Sequence, residues 1–345
     1  MKGVRSLAAI AIVAMAAVAC GSTTTSGGSS STCSKTWKVG LVTDVGKLSD
    51  KSFNATSWQG VLDAQSDKSL CVTGKAIESD QPTDYAKNMQ TFVDQGYDMV
   101  VAVGFLMGDD VLAEAKKNPK TQFALVDPAG PYDASVPTNL TGLSFREDQA
   151  GYLAGALAGL YTKTNVVGGV YGLDIPPVHR YRVGFENGLK STNPGAKALG
   201  VYQPPGPTAF NDPDWGKARA IEQFNQNADI VFGAGGNTGN GALLAAVQKS
   251  KTCIGVDVDQ FKSYPDADQC LITSAEKKLA TAVKTAISNV VKGTAKGGTL
   301  TFDASNGGVG LSAYHSFDSK VTSDMKSKID AIQKQLAAGT LKTGA

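Results

Sequence analysis

The chain has 345 residues, 42% of them hydrophobic and 19% charged, with 33 Lys+Arg against 31 Asp+Glu. Without Lys2 and Arg5 at the N-terminus the balance is neutral, so nothing favours nucleic acid, which needs a basic patch or stripe. The length exceeds the roughly 100–200 residues usual for one domain, and two domains are expected.

Lys2 and Arg5 form a basic head, and Leu7 to Val18 an apolar run. That run falls short of the about 20 residues needed to span a bilayer and describes an export signal. Ala17-Val18-Ala19-Cys20 resembles a bacterial lipobox, so residues 1–20 read as a lipoprotein signal peptide ending at a lipidated Cys20. A plain secretory signal with an incidental cysteine is the alternative. Residues 21–34 contain GSTTTSGGSSST, which has no apolar group to bury and reads as a flexible tether. Anchor and tether together predict a protein held at the extracytoplasmic face of the bacterial cell membrane. No later segment is long and apolar enough to span it.

Beyond the tether, short apolar runs alternate with segments of helical period. The runs are VGLVTD, DMVVAVG, FALVD, LTGLSF, VVGGVYG, DIVFGAGG, CIGVDVD and CLITSA. Continuous apolar strands separated by helices indicate α/β architecture with parallel sheets covered on both faces. The strands are too many for one sheet, so two similar doubly wound lobes joined by crossing hinge strands are expected. The boundaries are 35–145 plus 274–297 for lobe 1 and 146–273 plus 298–345 for lobe 2. CLITSAEKK is expected to cross back to the first lobe and TLTFDASNGGVGL to return to the second. No repeat is visible between the lobes in sequence, only in pattern.

Besides Cys20 there are Cys33, Cys71, Cys253 and Cys270, an even number that suggests disulfides in an exported chain. Three pairings are open. Neighbouring parallel strands start at one edge of a sheet, which makes 33–71 and 253–270 the economical choices.

In parallel α/β sheets ligands bind at the carboxyl ends of the strands. Four strand ends carry carboxylates: Asp44, Asp127, Asp257 and Asp259. Any one of them could cap a helix or turn. As a set, with few cations beside them, they suit hydroxyl donors, because one carboxylate offers two acceptor oxygens to adjacent sugar hydroxyls. Lys277, about one turn past a strand, could donate to a ribose oxygen. Phe53 and Phe210 follow turn-like sequence and could sandwich a flat ring, with Asn54 at its edge; such stacking typically contributes about 1–3 kcal/mol per base. The glycines Gly233, Gly235 and Gly239 match a dinucleotide fingerprint only in part, and a glycine turn equally lets backbone approach a sugar. His179 and His315 have no partner in sequence and read as structural. No metal or nucleophile motif is present, so neither a metal, a cofactor nor a catalytic residue is assigned.

LVTDVGKLSDKSFNATSWQG, SFREDQAGYLAGALAGL, YGLDIPPVHRYRVGFENGLK, FGAGGNTGNG, GVDVDQ and TSAEKK together resemble the basic membrane protein family. These are substrate-binding lipoproteins of bacterial ABC transporters, including purine nucleoside receptors. The resemblance covers nearly all the chain after the tether and implies a type I periplasmic-binding fold. It implies that Phe53 and Phe210 stack on the base, that Asn54 and Asp127 bond its edge, and that Asp44, Asp257 and Lys277 hold the ribose. Gly235 gives backbone approach, and Phe105 is a weaker contact candidate. Tyr181 stands where the family often has Phe. The implied protein is a monomer, not an enzyme, that hands a nucleoside to permease subunits. A sugar receptor of the same fold, a sensor or adhesin, and an exported nucleoside-processing enzyme are the alternatives.

Overall fold

A computed structural model describes residues 33–133 and 135–345. The leader, Cys20 and nearly all of the tether lie outside the described residues.

Two six-stranded sheets organise the fold. The first contains β1 (Trp37–Thr43), β2 (Val72–Ile77), β3 (Met99–Val103), β4 (Gln122–Val126), β5 (Leu140–Phe145) and β11 (Gly298–Phe302), in the order β11-β5-β4-β3-β1-β2. The second contains β6 (Val166–Tyr171), β7 (Lys197–Tyr202), β8 (Ile230–Ala234), β9 (Thr252–Asp257), β10 (Leu271–Lys277) and β12 (Val309–Leu311), in the order β12-β10-β9-β8-β6-β7. Replacing each strand of the first sheet by its counterpart in the second reproduces the order, so the repeat absent from the sequence is present in the topology. The pairings are parallel except β10 with β12.

The central strands are built for burial on both faces: every residue of MVVAV in β3 and IVFGA in β8 is buried. Strand β7 was not marked by any apolar run, and it lies at a sheet edge with no residue fully buried. An edge strand with a half-wet face carries a weak hydrophobic signal, which is why its sequence was silent.

The helices are α1 (Phe53–Ser66), α2 (Tyr85–Asp94), α3 (Gly108–Lys117), α4 (Glu147–Tyr161), α5 (Pro176–Thr192), α6 (Pro213–Asn225), α7 (Gly236–Gln248), the short α8 (Gln260–Ser263), α9 (Leu279–Val291) and α10 (Ser323–Ala337). Helices α4 and α5 pack backbone to backbone. A Cβ at Gly151 or Gly155 of α4 would overlap the carbonyls of Tyr181 or Phe185, and one at Gly184 or Gly188 of α5 would overlap those of Asp148 or Tyr152.

The crossings differ from the expected boundaries. Residues 271–277 stay in the second sheet, where all of β10 is buried against β9. The chain then crosses: α9 packs on α1, and residues 298–302 join the first sheet beside β5 rather than returning to the second. Only β12 returns. A half-exposed edge strand such as β11 carries no sequence feature that tells which sheet will accept it.

Both economical disulfides are present. Cys33–Cys71 ties the start of β1 to the start of β2, and Cys253–Cys270 ties β9 to β10. Each joins neighbouring parallel strands at their common edge.

Candidate functional site

The carboxyl ends of β1, β3 and β4 face those of β8, β9 and β10 across one cavity, with about 590 Å³ of space including its mouth. Asp44, Phe53, Asn54, Asp127, Phe210, Gly235, Asp257 and Lys277 all line it, and so does Phe105. Sequence reasoning did not assign Asp50, Gly46, Gly104, Ile175, Pro177, Val178 or Val256 to this wall. For Asp50 the signal existed: an acid just before a helical segment is a capping pattern.

Asp127 and Asp257 occupy equivalent positions, after β4 and at the end of β9, and both have left-handed backbone (φ 64° and 67°). Phe210 does too, at φ 59°. A bulky residue there is strained, and such strain persists only where the surroundings impose it. Here the Phe210 N–H donates to Gln203 Oε1 at 2.9 Å, and its ring lies against Gly172, where a Cβ would overlap it.

Asp44 is wedged beside Gly104 and accepts a bond from the Gly46 N–H at 2.9 Å. Burial pushes its carboxyl up to about 7 despite that bond, and the Asp50 and Asp127 charges add to the rise. Burial likewise raises Asp257 to about 7, against the pull of Lys277. The Tyr181 hydroxyl lies 3.2 Å from the Ala275 carbonyl and 3.4 Å from Asp257 Oδ1.

Asp50 holds the start of α1. Its carboxylate accepts from the N–H groups of Ser52, Asn54 and Ala55 and from Asn54 Nδ2. First-turn N–H groups have no partner inside a helix, so this cap fixes where Phe53 and Asn54 stand. Asp50 also ties the lobes together: Asn240 Nδ2 of α7 donates to its carbonyl at 2.7 Å, and Ser263 Oγ donates to the next carbonyl, Lys51, at 2.7 Å.

Lys277 corrects two expectations. It is the last residue of β10 rather than a residue one turn past a strand, and it does not stand apart from the carboxylates. Its Nζ donates to Asp127 Oδ2 at 2.6 Å and to Glu147 Oε1 at 3.3 Å, and Arg180 holds the other oxygen of Glu147 at 2.7 Å. Burial alone would lower the Lys277 ammonium; Asp127, Glu147 and Asp257 outweigh it and leave it raised. Nζ also lies 4.7 Å from the Phe53 ring centroid. The rim carboxylates are therefore not all unpaired. Asp259 is not among the cavity's residues: it bonds His315 Nε2 at 2.9 Å and Lys262 at 3.1 Å. His179 pairs with the exposed Asp174 at 3.0 Å. Among the described residues no group of three His, Cys, Asp or Glu could hold a metal, and no helix is long and apolar enough to cross a membrane.

Two α/β lobes of one topology, with the chain crossing between them beside a shared cavity, form the type I periplasmic-binding-protein fold, whose cleft takes up a solute. A solute-binding protein of an ABC transporter system from Aeropyrum pernix K1 superposes with a TM-score of 0.77 at 24% identity, covering 89% of this chain and 92% of that one. The family of PnrA-like ABC transporter substrate-binding proteins (Bmp) matches residues 37–340, and the chain belongs to it. It is a solute-binding protein of an ABC transporter and not an enzyme. The Lactococcus lactis "ABC transporter nucleoside-binding protein BmpA" is 29% identical over 97% of this chain and 98% of its own length. A "CD4+ T-cell-stimulating antigen" of Listeria monocytogenes is 30% identical over 90% and 88%, and "Basic membrane protein A" of Borreliella burgdorferi is 30% identical over 76% and 75%.

Proposed function

We propose that the protein captures a nucleoside between its lobes and delivers it to the permease of an ABC transporter, from a lipid anchor at Cys20 on the extracytoplasmic face of the membrane. The observation that carries the ligand assignment is the pairing of two loop-borne or helix-start aromatics, Phe53 and Phe210, with a carboxylate-lined wall in one cavity. A flat base between rings and hydroxyls on carboxylates use both features, as neither a free sugar nor a free base does. Asp44 and Asp257 would accept from the ribose, with Lys277 beside them and Gly235 leaving room for backbone approach. The name of the Lactococcus relative supports the same reading. The carboxylates of the wall count against phosphorylated ligands: Asp44, Asp50, Asp127 and Asp257 line it beside one lining cation, Lys277. A 5′-phosphate would bring negative charge to an acidic, poorly solvated site. Nothing is chemically transformed; closure of the lobes is the response to binding.

Thermal unfolding of the protein, stripped of co-purified ligand, against nucleosides, nucleotides, bases, ribose and common sugars tests this. Ligand at 100 times its dissociation constant adds about 2.7 kcal/mol to stability. Nucleosides are expected to raise the unfolding temperature, while ribose, bases and nucleoside monophosphates leave it unchanged. A response to sugars alone would replace the nucleoside by a sugar.

A further inference from the structure

Two side chains of the second lobe bond the backbone of the first without lining the cavity: Asn240 of α7 and Ser263 of α8. Their acceptors are successive carbonyls, Asp50 and Lys51, in the loop before α1.

The orientation of Asn240 is forced from behind. Gln260 Oε1 accepts the Val256 N–H of β9 at 2.9 Å, which turns the Gln260 amide nitrogen toward Asn240 Oδ1, also at 2.9 Å. An amide side chain has one acceptor end and one donor end. With its acceptor end spent on Gln260, Asn240 presents Nδ2 to the first lobe and meets the Asp50 carbonyl at 2.7 Å, with Asn237 Oδ1 at 3.3 Å beside it. Asn240 is 4% exposed and Gln260 fully buried, so the relay from β9 to the first lobe runs through a dry interface.

The receiving loop is set as firmly. The Ser52 carbonyl opens the ladder of α1 by accepting the Thr56 N–H at 2.9 Å, and the carbonyls of Asp50 and Lys51 lie before it. Lys51 has left-handed backbone, φ 58°, a conformation that a residue with a side chain keeps where its surroundings impose it. The same loop carries the Asp50 carboxylate that caps α1 and so places Phe53 and Asn54 at the cavity wall.

We propose that Asn240, Gln260 and Ser263 are positioning residues for binding: they clasp the 50–51 loop to the second lobe and draw the open–closed equilibrium of the lobes toward closed, without touching the ligand. The proposal rests on the reading above that a solute is taken up between the lobes, and it holds for any such solute. Both bonds exist only with the lobes together; in an open protein the same groups face water. A bond exchanged for water in this way shifts an equilibrium by about three- to tenfold. The apparent dissociation constant is the intrinsic one divided by the competent fraction, so the clasp tightens every ligand by one common factor.

The test compares the stripped wild-type protein with Ser263→Ala, Asn240→Ala and the double variant. Titration calorimetry with inosine, adenosine and uridine is paired with small-angle X-ray scattering of the unliganded proteins. The double variant is expected to raise the dissociation constants of the nucleosides that bind by one shared factor of about tenfold or more, or, where the stripped wild type is already mostly closed, to expand the scattering profile. Ser263→Ala removes one half-buried hydroxyl and is expected to show about a third of the effect on a logarithmic scale or more, which keeps the test readable should Asn240→Ala fail to fold. Dissociation constants within twofold of wild type together with an unaltered profile overturn the proposal. A loss confined to one nucleoside also overturns it, because these residues would then act on the ligand rather than on closure. If no nucleoside binds, the nucleoside reading falls, and the scattering alone decides the clasp.

Discussion

Lys277 at the end of β10 reaches across from the second sheet to Asp127 behind β4 of the first, with Nζ 2.6 Å from Oδ2 and both side chains almost wholly buried. The pair ties the lobes together beside the cavity. Glu147, fully buried, shares the same ammonium. Replacing Lys277 by Met leaves the buried Asp127 without its cation and Glu147 with Arg180 alone. Removing one partner of a buried pair typically destabilises by about 3–5 kcal/mol. Urea unfolding of Lys277→Met should show a loss of that order, and a loss under about 1 kcal/mol would mean that the pair contributes little.

Asp44 and Asp257 have carboxyls raised to about 7 by burial, from an ordinary value of 3.8. A raised carboxyl binds its proton more tightly in the folded state. Its contribution is therefore fully present below pH 3.8 and is lost as pH rises through about 7. Each group accounts for about 4 kcal/mol across that window at 1.36 kcal/mol per pKa step. Unfolding temperature of the unliganded protein should fall between pH 4 and pH 7 on their account. Asp44→Asn and Asp257→Asn should each flatten that slope.

Hydroxyl donors on Asp44 and Asp257 favour the ionised carboxylates, so nucleoside binding should release protons near pH 6. Calorimetry in two buffers of different ionisation enthalpy reads this directly. A binding enthalpy independent of the buffer would remove the hydroxyl assignment from both residues.

Asp257→Ala should cost more affinity than Phe105→Ala. Under the nucleoside reading Asp257 would accept a ribose hydroxyl as a carboxylate, a charged hydrogen bond worth about 1.5–3 kcal/mol. Equal dissociation constants for wild type and Asp257→Ala would show that it does not hold the ligand.

Gly188→Ala places a methyl group on the Tyr152 carbonyl, where α4 and α5 meet backbone to backbone. Neither helix can yield without moving the other, so the overpacking should destabilise by about 1–3 kcal/mol. Ala at Gly293, where a Cβ meets nothing within 4 Å but the backbone is left-handed (φ 67°), separates strain from contact. A thermal shift at Gly188 no larger than at Gly293 would assign the effect to backbone conformation alone.

Much of the sheet architecture was legible because buried parallel strands must be continuous apolar runs. The runs DMVVAVG and DIVFGAGG fall on β3 and β8, buried at every strand position. Edge strands β7 and β11 face water on one side and left too weak a pattern, so β7 went unmarked and β11 was given to the wrong sheet. Helix α10, with only Ile329 and Leu336 buried, carries a similarly weak apolar pattern. Strand adjacency made Cys33–Cys71 and Cys253–Cys270 the economical choice among three open pairings, and both are present.

The sequence by itself determined which residues stand at the strand ends, because alternating strands and helices deliver every carboxyl end to one rim. That sufficed to gather Asp44, Asp127 and Asp257 on one rim, with Asp259 wrongly among them, while Phe53 and Phe210 were read from turn-like sequence. Only the tertiary structure decided which of those groups are spent on one another. Lys277 and Asp127 are 150 residues apart and belong to different sheets, so their pairing depends on how the lobes meet. Asn54 Oδ1 is likewise left without a protein partner because the Asp50 cap takes the amide nitrogen. Residue type sets what a side chain can donate or accept; only packing settles which of its atoms remain for a ligand.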